Sequence, residues 1–341
     1  PTITTRMILS LALPSLGALI AEPLFTVIDS TMVGHLGTPQ LAGLGIASTV
    51  LNTAVGLFIF LAYSTTSLAG RHLGAGRRDL AVRSGVEAMW LAGGLGLLAA
   101  ILLAVFASPL LTWLGANEAT LPHALGYLRA SAPGLVGMFV VLAATGTLRG
   151  LQDTRTPLVA ASAGAAFNAV ANWVLMYPLG MGVAGSGLGT AITQTLMALF
   201  LGWMIVRAAR REGVSLRPST HGLFGAAVEG APLLVRTLAL RVALLATLSA
   251  VTAISTQALA AHQIVWTLWT FAAYVLDALA IAAQALAGFT TGTGERGAMR
   301  PLLRTLSRWG VCFGVAVGVA LAITAPWITR FFTTDQSVID Y

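Results

Sequence analysis

The sequence predicts an all-α polytopic membrane protein whose second part repeats its first part. Hydrophobic residues make up 57% of the 341 residues and charged residues only 9%, whereas a soluble domain carries about 25% charged residues. Apolar runs long enough to cross a bilayer recur along the chain. Residues 14–76 align with residues 232–294 without a gap, and 17 of the 63 pairs are identical. Such a duplicated membrane bundle is the usual architecture of a secondary transporter.

Hydropathy predicts nine membrane helices. They are expected at residues 6–33, 41–70, 84–108, 124–148, 157–180, 186–207, 226–252, 258–288 and 304–326. Several exceed the length needed to cross a bilayer, which predicts tilt, kinks or protruding ends. Prolines inside these runs would kink a helix and free carbonyl groups for a site, or kink it for packing alone. These prolines are Pro14, Pro23, Pro133 and Pro232.

The distribution of arginine predicts the orientation in the membrane. All 19 basic residues are arginines, and 15 of them lie at the N-terminus or in and beside the predicted loops 71–83, 149–156, 207–221 and 289–304. The intervening loops contain none, and only Arg330 follows the last helix. Because basic loops stay in the cytoplasm, the N-terminus is predicted to be cytoplasmic. The net charge of +7 therefore reflects membrane topology, and no nucleic-acid partner is expected.

The repeat also predicts the domain organisation. The first unit contains six helices, and the offset of 218 places residue 341 opposite residue 123, after the third helix. We expect an N-terminal lobe at 1–215, with helices one to six, and a C-terminal lobe at 216–341, with helices seven to nine only. The second lobe would then be incomplete, and a native protein of nine helices is the alternative.

The sequence contains no motif that indicates an enzyme. A phosphate-binding loop of the form G-x-x-x-x-G-K is absent, as is any lysine, so ATP binding is not expected. The five histidines and the single Cys312 lack the spacing of metal ligands. We therefore expect no catalytic activity, no cofactor and no bound structural metal.

Three acidic residues, Glu22, Asp29 and Asp277, fall inside predicted membrane helices. An acid at that depth is energetically costly and indicates a functional site by default. Glu22 and Asp29 are two turns apart on about the same face of the first helix. A carboxyl group that changes its protonation there can exchange a proton for a cationic substrate or a metal ion. For each acid, a structural hydrogen-bonding role is the alternative.

Two further sets of polar residues lie within the predicted helices. Arg241 and Asp277 lie at similar distances from the basic ends of neighbouring antiparallel helices, which predicts a structural ion pair between them. Asn168 and Asn172 are four residues apart and share one helix face. Asparagine in a membrane helix usually joins helices by hydrogen bonds, but beside an acid it can also hold a protonated carboxyl group or a water. Tyr127, Thr190 and Gln194 add polar groups on neighbouring helices.

Seven short motifs, spread over nearly the whole chain, carry a resemblance to a known family. They are Leu13–Pro14, Val27–Ser30, Leu73–Gly76, Tyr127–Arg129, Leu148–Pro157, Gly182–Gly185 and Leu259–Ile264. With these motifs the chain resembles the multidrug and toxic compound extrusion (MATE) transporters, and its motifs are most similar to those of the bacterial DinF-like branch.

The resemblance implies a MATE-type fold of two six-helix lobes related by a pseudo-twofold axis along the membrane normal. It implies an antiporter, expected to be a monomer in the bacterial inner membrane, that exports organic cations in exchange for H⁺ or Na⁺. The family's essential acid in the first helix falls on Asp29. The family's pocket positions fall on Tyr127, Asn168, Asn172 and Thr190. Many relatives carry a second aspartate where this chain has Asn172, and Glu22 is a candidate replacement.

The coupling ion and the transported molecule have alternatives. Relatives thought to use Na⁺ carry acids on helices seven and ten; here helix seven has none at its core and helix ten lies outside the sequence, which favours H⁺. A lipid-linked precursor flippase of the same superfamily is the second hypothesis. It would need arginines in the cavity to hold a pyrophosphate, for which Arg129, Arg236 and Arg241 are candidates. A channel or a non-transporting scaffold is the third, disfavoured by the repeat and the buried acids.

Overall fold

The computed structural model describes residues 5–254 and 256–332, and these residues form helices and connecting turns without any strand. The helices are α1 (Thr5–Gly34), α2 (Thr38–Leu57), α3 (Phe60–Gly74), α4 (Arg78–Trp113), α5 (Leu121–Ser131), α6 (Gly134–Gly150), α7 (Arg155–Met176), α8 (Val183–Arg211), α9 (Thr220–Ile254), α10 (Thr256–Thr293) and α11 (Arg296–Phe332). The predicted all-α membrane fold is therefore confirmed.

Eight segments of the described chain are long and apolar enough to cross a membrane, and the bent pair α5 and α6 makes a ninth if it counts as one span. Helices α2 and α3 together form one of the eight, Thr38–Gly74. Each of the nine predicted helices coincides with one of these spans. Most helices extend further than predicted, because polar residues continue several of them beyond the apolar run, as in α4 and α8. Helix α7 is an exception at its C-terminal end, since it ends at Met176 and not at residue 180.

Two of the spans are interrupted. Helices α5 and α6 meet at Pro133 with a bend of 52°, as the missing amide hydrogen of proline predicts. The break between α2 and α3, at Phe58 and Ile59, contains no proline and was not predicted. There the Phe58 ring packs against Phe139 with centroids 4.7 Å apart. Helix α1, by contrast, continues through Pro14 and Pro23.

Helices α3 and α10 come from equivalent parts of the repeat and pack directly on each other. A methyl group added to Gly70 would lie 3.0 Å from the carbonyl oxygen of Ala285, and one added to Gly288 would lie 2.7 Å from that of Ser67. The offset of 218 maps Gly70 onto Gly288 and Ser67 onto Ala285. The two contacts are therefore the same contact made from each side, which is the pattern of a two-fold interface.

One turn further along, the pattern repeats. A methyl group on Gly74 would meet the carbonyl oxygen of Phe289, and one on Gly292 would meet that of Arg71. The same offset maps these residues onto each other. We call the four residues Gly70, Gly74, Gly288 and Gly292 the glycine contact. It brings two helix backbones together more closely than any side chain would allow.

The turns after these two helices are also equivalent. Gly76 and Gly294 both have φ 73°, a left-handed conformation that glycine adopts without strain. The amide of Gly76 donates to the carbonyl of Leu73 (3.0 Å), and that of Gly294 donates to Thr291 (3.3 Å). Arginine-rich sequence follows both turns, so the glycine contact lies toward the basic end of the bundle.

The N-terminal part of α1 packs at this same end. Ile8 and Leu11 are buried in one cluster with Ala282 and Leu286 of α10 and Leu302 of α11. The two halves of the chain therefore close on each other near the basic end, and a cavity remains between them further along the helices.

We expect Gly74→Ala and Gly292→Ala to destabilise the protein to similar extents, because each methyl group would overlap a backbone carbonyl at an equivalent position. Overpacking of this kind costs about 1–3 kcal/mol. The measurement is the thermal unfolding temperature of the purified full-length protein in detergent. Gly94→Ala is the control, since a methyl group there meets nothing within 4 Å. Unchanged unfolding temperatures for both variants would contradict the described contact.

Candidate functional site

A cavity of about 640 Å³ lies between the two halves and is lined by residues from α1, α2, α3 and α5 to α10. This volume suits a drug-sized organic molecule. Its polar side chains fall into two groups. The Asp29 cluster, part of which stands behind the cavity wall, comprises Asp29, Tyr127, Asn168, Asn172, Ser186 and Thr190. The arginine cluster comprises Tyr63, Arg149, Arg236, Asp277 and Gln284.

Asp29 of α1 is the buried acid of the first group, with 7% of its surface exposed. Its Oδ1 atom accepts hydrogen bonds from the Ser186 hydroxyl at 2.5 Å and from Nδ2 of Asn172 at 3.0 Å. Among the described side chains, none donates to Oδ2, and Asp29 lines the cavity. One carboxyl oxygen is thus anchored to the neighbouring helices, while the other is available to a proton or a cation.

The two asparagines form a buried bridge behind Asp29. Nδ2 of Asn172 donates to Oδ1 of Asn168 at 3.1 Å, and Nδ2 of Asn168 donates to Thr190 Oγ1 at 3.4 Å. The Tyr127 hydroxyl also interacts with Thr190. An amide group has two hydrogens, so Asn172 can serve Asp29 and Asn168 at once. The network therefore connects α1, α7, α8 and α5.

Small residues allow these helices to approach. A methyl group on Gly185 of α8 would lie 2.8 Å from the carbonyl carbon of Leu175 in α7. One on Gly187 would meet the carbonyl of Tyr127 in α5, and one on Gly189 would displace the Asn172 side chain. The glycines of α8 thus position the donors of the network, as small residues do at helix contacts in membranes.

The structure brings together the five positions that the sequence resemblance assigned to this pocket, Asp29 with Tyr127, Asn168, Asn172 and Thr190. It also adds Ser186, which sequence reasoning missed. The missed signal was available, because Ser186, Thr190 and Gln194 recur every four residues and share one face of α8. The side chain of Glu22 lies outside the described part of the structure.

The predicted ion pair between Asp277 and Arg241 is wrong. The guanidinium of Arg241 packs against Gly56 of α2, whereas Asp277 lines the cavity together with Arg236, its electrostatic neighbour. Arg236 and Arg241 are five residues apart and so point about 140° apart around α9. Equal depth in the membrane did not determine which helix face each side chain occupies.

Arg149 also differs from its prediction, which placed it in a basic loop. It lies in the last turn of α6 and lines the cavity, with only 8% of its surface exposed. Arg129, a candidate for the cavity, is exposed and is not among the lining residues. Of the arginines considered for a cavity site, the structure therefore places Arg236 there and adds Arg149.

The motif from Leu148 to Pro157 explains how α6 ends just after Arg149, at Gly150. The amide of Asp153 donates to the carbonyl of Leu148 (2.8 Å), and that of Gln152 donates to Arg149 (2.9 Å). Gln152 adopts φ 64°, so this is a Schellman turn with glutamine at its left-handed position. The Asp153 carboxylate then accepts the amide of Thr156 (3.0 Å) and caps α7. The motif fixes the position from which Arg149 enters the cavity.

Comparison with known proteins gives consistent matches along the chain. The MatE family model matches residues 14–174 and 232–341, two segments whose starts differ by the repeat offset of 218. Protein DETOXIFICATION 44, chloroplastic, of Arabidopsis thaliana is 32% identical over 97% of this chain and 66% of its own length. DNA damage-inducible protein F of Escherichia coli is 28% identical over 98% of this chain and 74% of its own length. The chain thus spans about two thirds to three quarters of these relatives.

Solved structures share the fold. A MATE structure in the bent conformation superposes with a TM-score of 0.90 at 22% identity, covering 98% of this chain and 76% of that one. A MOP superfamily transporter from Pyrococcus furiosus superposes with a TM-score of 0.86 at 23% identity, covering 98% of this chain and 75% of that one. These matches show that the helical bundle of this chain shares the fold of those structures.

The hydrogen bonds to Asp29 predict an infrared signal. When Asp29 is protonated at low pH, its C=O stretch should move to higher frequency in Ser186→Ala, because the carbonyl oxygen loses a donor. The band is identified as the one that disappears in Asp29→Asn. Ser131→Ala is the control, since the buried Ser131 hydroxyl donates to the carbonyl of Leu128 and to no other group in the described part of the chain. A band that does not move in Ser186→Ala would contradict the network.

Proposed function

The chain belongs to the MATE family of multi-pass membrane transporters, and we propose that it is a proton-coupled antiporter that exports organic cations. The family assignment rests on a family model that matches most of the chain and on relatives that align along nearly all of it. Members of the family are transporters, not enzymes. The coupling ion, the substrate class and the orientation are the proposed part.

The observation that carries this proposal is the geometry of Asp29. Its Oδ1 atom is held by two donors and its carboxyl group lines the cavity. A proton and a cationic substrate would therefore compete for the same carboxyl group. Exclusive occupancy is the minimum requirement for exchange, because a ligand shifts a conformational equilibrium only through different affinities for the two states.

Coupling to H⁺ fits the donors around Asp29 better than coupling to Na⁺. Ser186 and Asn172 direct hydrogen atoms, not oxygen lone pairs, toward the carboxylate. A bound alkali cation would instead need several oxygen atoms directed toward one point. A single carboxyl group that gains and loses a proton needs only the oxygen that faces the cavity.

The proposed cycle uses the two halves of the chain as moving bodies. With the basic loops in the cytoplasm of a bacterial cell, the glycine contact closes the cytoplasmic side and leaves the cavity accessible from outside. An external proton binds Asp29 and releases the cation. Helix α1 then bends near Pro23, the glycine contact opens, and the proton leaves to the cytoplasm.

A lipid-linked precursor flippase remains the second candidate, because Arg149 and Arg236 both line the cavity. A pyrophosphate carries at least two negative charges, however, and Asp277 lies beside Arg236. The cavity thus offers little excess positive charge for such a group. A channel differs from both candidates, since it would conduct without a coupling gradient.

We expect Asp29→Asn to abolish efflux of the fluorescent cation rhodamine 123 driven by a pH gradient, because an amide cannot exchange a proton. The assay uses proteoliposomes containing the full-length protein, with an imposed pH gradient and, separately, an imposed Na⁺ gradient. Asp79→Asn is the matched control, since Asp79 is an exposed acid that pairs with Arg77.

Flux driven by the pH gradient in the wild type and in Asp79→Asn, but not in Asp29→Asn, is the expected result. Efflux retained in a folded Asp29→Asn variant would overturn the role of Asp29. Flux driven only by Na⁺ would overturn proton coupling, and flux with neither gradient imposed would indicate a channel.

A further inference from the structure

We propose that the cavity contains an anion-binding subsite at Arg149 and that the exported molecules are organic zwitterions carrying a carboxylate. This inference rests on the proposed function, because it treats the cavity as the substrate site. It adds a second recognition element to the cation site at Asp29.

Arg149 is a buried cation without a described partner. Only 8% of its surface is exposed, and its Nε atom has no hydrogen-bond acceptor among the described residues. Arg83 and Arg78, which are more exposed, do have acidic partners, Glu87 at 2.9 Å and Glu212 at 3.2 Å. A buried guanidinium that lacks a partner is costly, so an anion that enters the cavity would be strongly favoured there.

The backbone around Arg149 prevents the side chain from escaping to water. The Thr66 hydroxyl of α3 donates to the carbonyl of Gly146 at 3.0 Å. A methyl group on Gly150 would lie 2.6 Å from the carbonyl oxygen of Thr66. Helix α6 therefore contacts α3 both before and after Arg149, and the Schellman turn fixes the C-terminal end of α6. Because the backbone is held in this way, the guanidinium of Arg149 remains directed into the cavity.

Neighbouring groups complete the subsite. Gln284 also lines the cavity, and its side-chain NH₂ group is a hydrogen-bond donor that suits a carboxylate. Tyr63 lies within electrostatic range of Arg149, Arg236 and Asp277, so these groups share one region of the cavity. Asp277 offsets the charge of Arg236, which leaves one net positive charge from Arg149. One carboxylate neutralises that charge.

The two sites can be occupied together. Asp29 takes the cationic part of the molecule or a proton, whereas Arg149 takes the carboxylate in either case. The proton and the carboxylate therefore do not compete, and an exchange at Asp29 can proceed while Arg149 holds or releases the other end. A cavity of about 640 Å³ accommodates both ends of one organic molecule.

The test uses two dyes that differ in one group. Rhodamine 110 has a free carboxylate, and rhodamine 123 is its methyl ester. Binding of each dye to the purified full-length protein is measured by fluorescence polarisation in detergent, without any gradient, so failure of proton coupling would not affect the result. The variants are Arg149→Gln and Arg149→Lys, and the control is Arg129→Gln at an exposed arginine.

We expect Arg149→Gln to weaken rhodamine 110 binding by about tenfold or more, as loss of a charged hydrogen bond predicts, and to leave rhodamine 123 binding within about twofold. Arg149→Lys keeps the positive charge but lacks the forked guanidinium donors, so it should weaken rhodamine 110 binding to an intermediate extent. It replaces Arg149→Gln in the test if that variant does not fold. Equal effects on both dyes, or no effect on either, would overturn the proposal.

If the wild type binds neither dye, the same variants are tested by thermal stabilisation with benzoate and with inorganic phosphate. Stabilisation by benzoate that is lost in Arg149→Gln and kept in Arg129→Gln supports a carboxylate site. Stabilisation by phosphate alone would overturn the carboxylate assignment in favour of a phosphate-bearing molecule. Absence of stabilisation by either anion would overturn the subsite itself.

Discussion

The glycine contact between α3 and α10 is the interaction on which the rest of the structure depends. Because Gly70, Gly74, Gly288 and Gly292 carry no side chains, the two backbones approach to van der Waals distance at the basic end of the bundle. The halves then diverge, and the space between them becomes the cavity. Within lipid, close packing of this kind replaces the hydrophobic effect as the source of helix association.

The two copies of the repeat carry the same residues at the glycine contact but different residues where they line the cavity. The offset of 218 pairs glycine with glycine in the contact, but it pairs Asp29 with Thr247 and Ile59 with Asp277. Duplication thus supplied a matched interface, whereas the charged groups arose separately in each half. One half carries the buried carboxyl group, and the other carries the Arg236 and Asp277 pair.

The sequence predicted the fold and the Asp29 cluster more successfully than it predicted the charged neighbours. Helical spans and the kink at Pro133 follow from local composition, so they could be read directly. Asp29, Asn168 and Asn172 could be grouped because the family resemblance assigns all three to one pocket, and the spacing of the two asparagines places them on one helix face. The partner of Asp277 and the burial of Arg149 could not be predicted, because they depend on which face of a helix meets the cavity. That face is decided by tertiary packing between helices distant in sequence.

The backbone nature of the glycine contact has a consequence for the speed of transport. Contacts between a Cα–H group and a carbonyl oxygen contribute only about 0.5–1 kcal/mol each, and no salt bridge is described across this contact. The glycine contact therefore excludes water through close packing of the two backbones and not through strong individual interactions. The contact can therefore separate and re-form many times without a large activation barrier, as the proposed transport cycle requires.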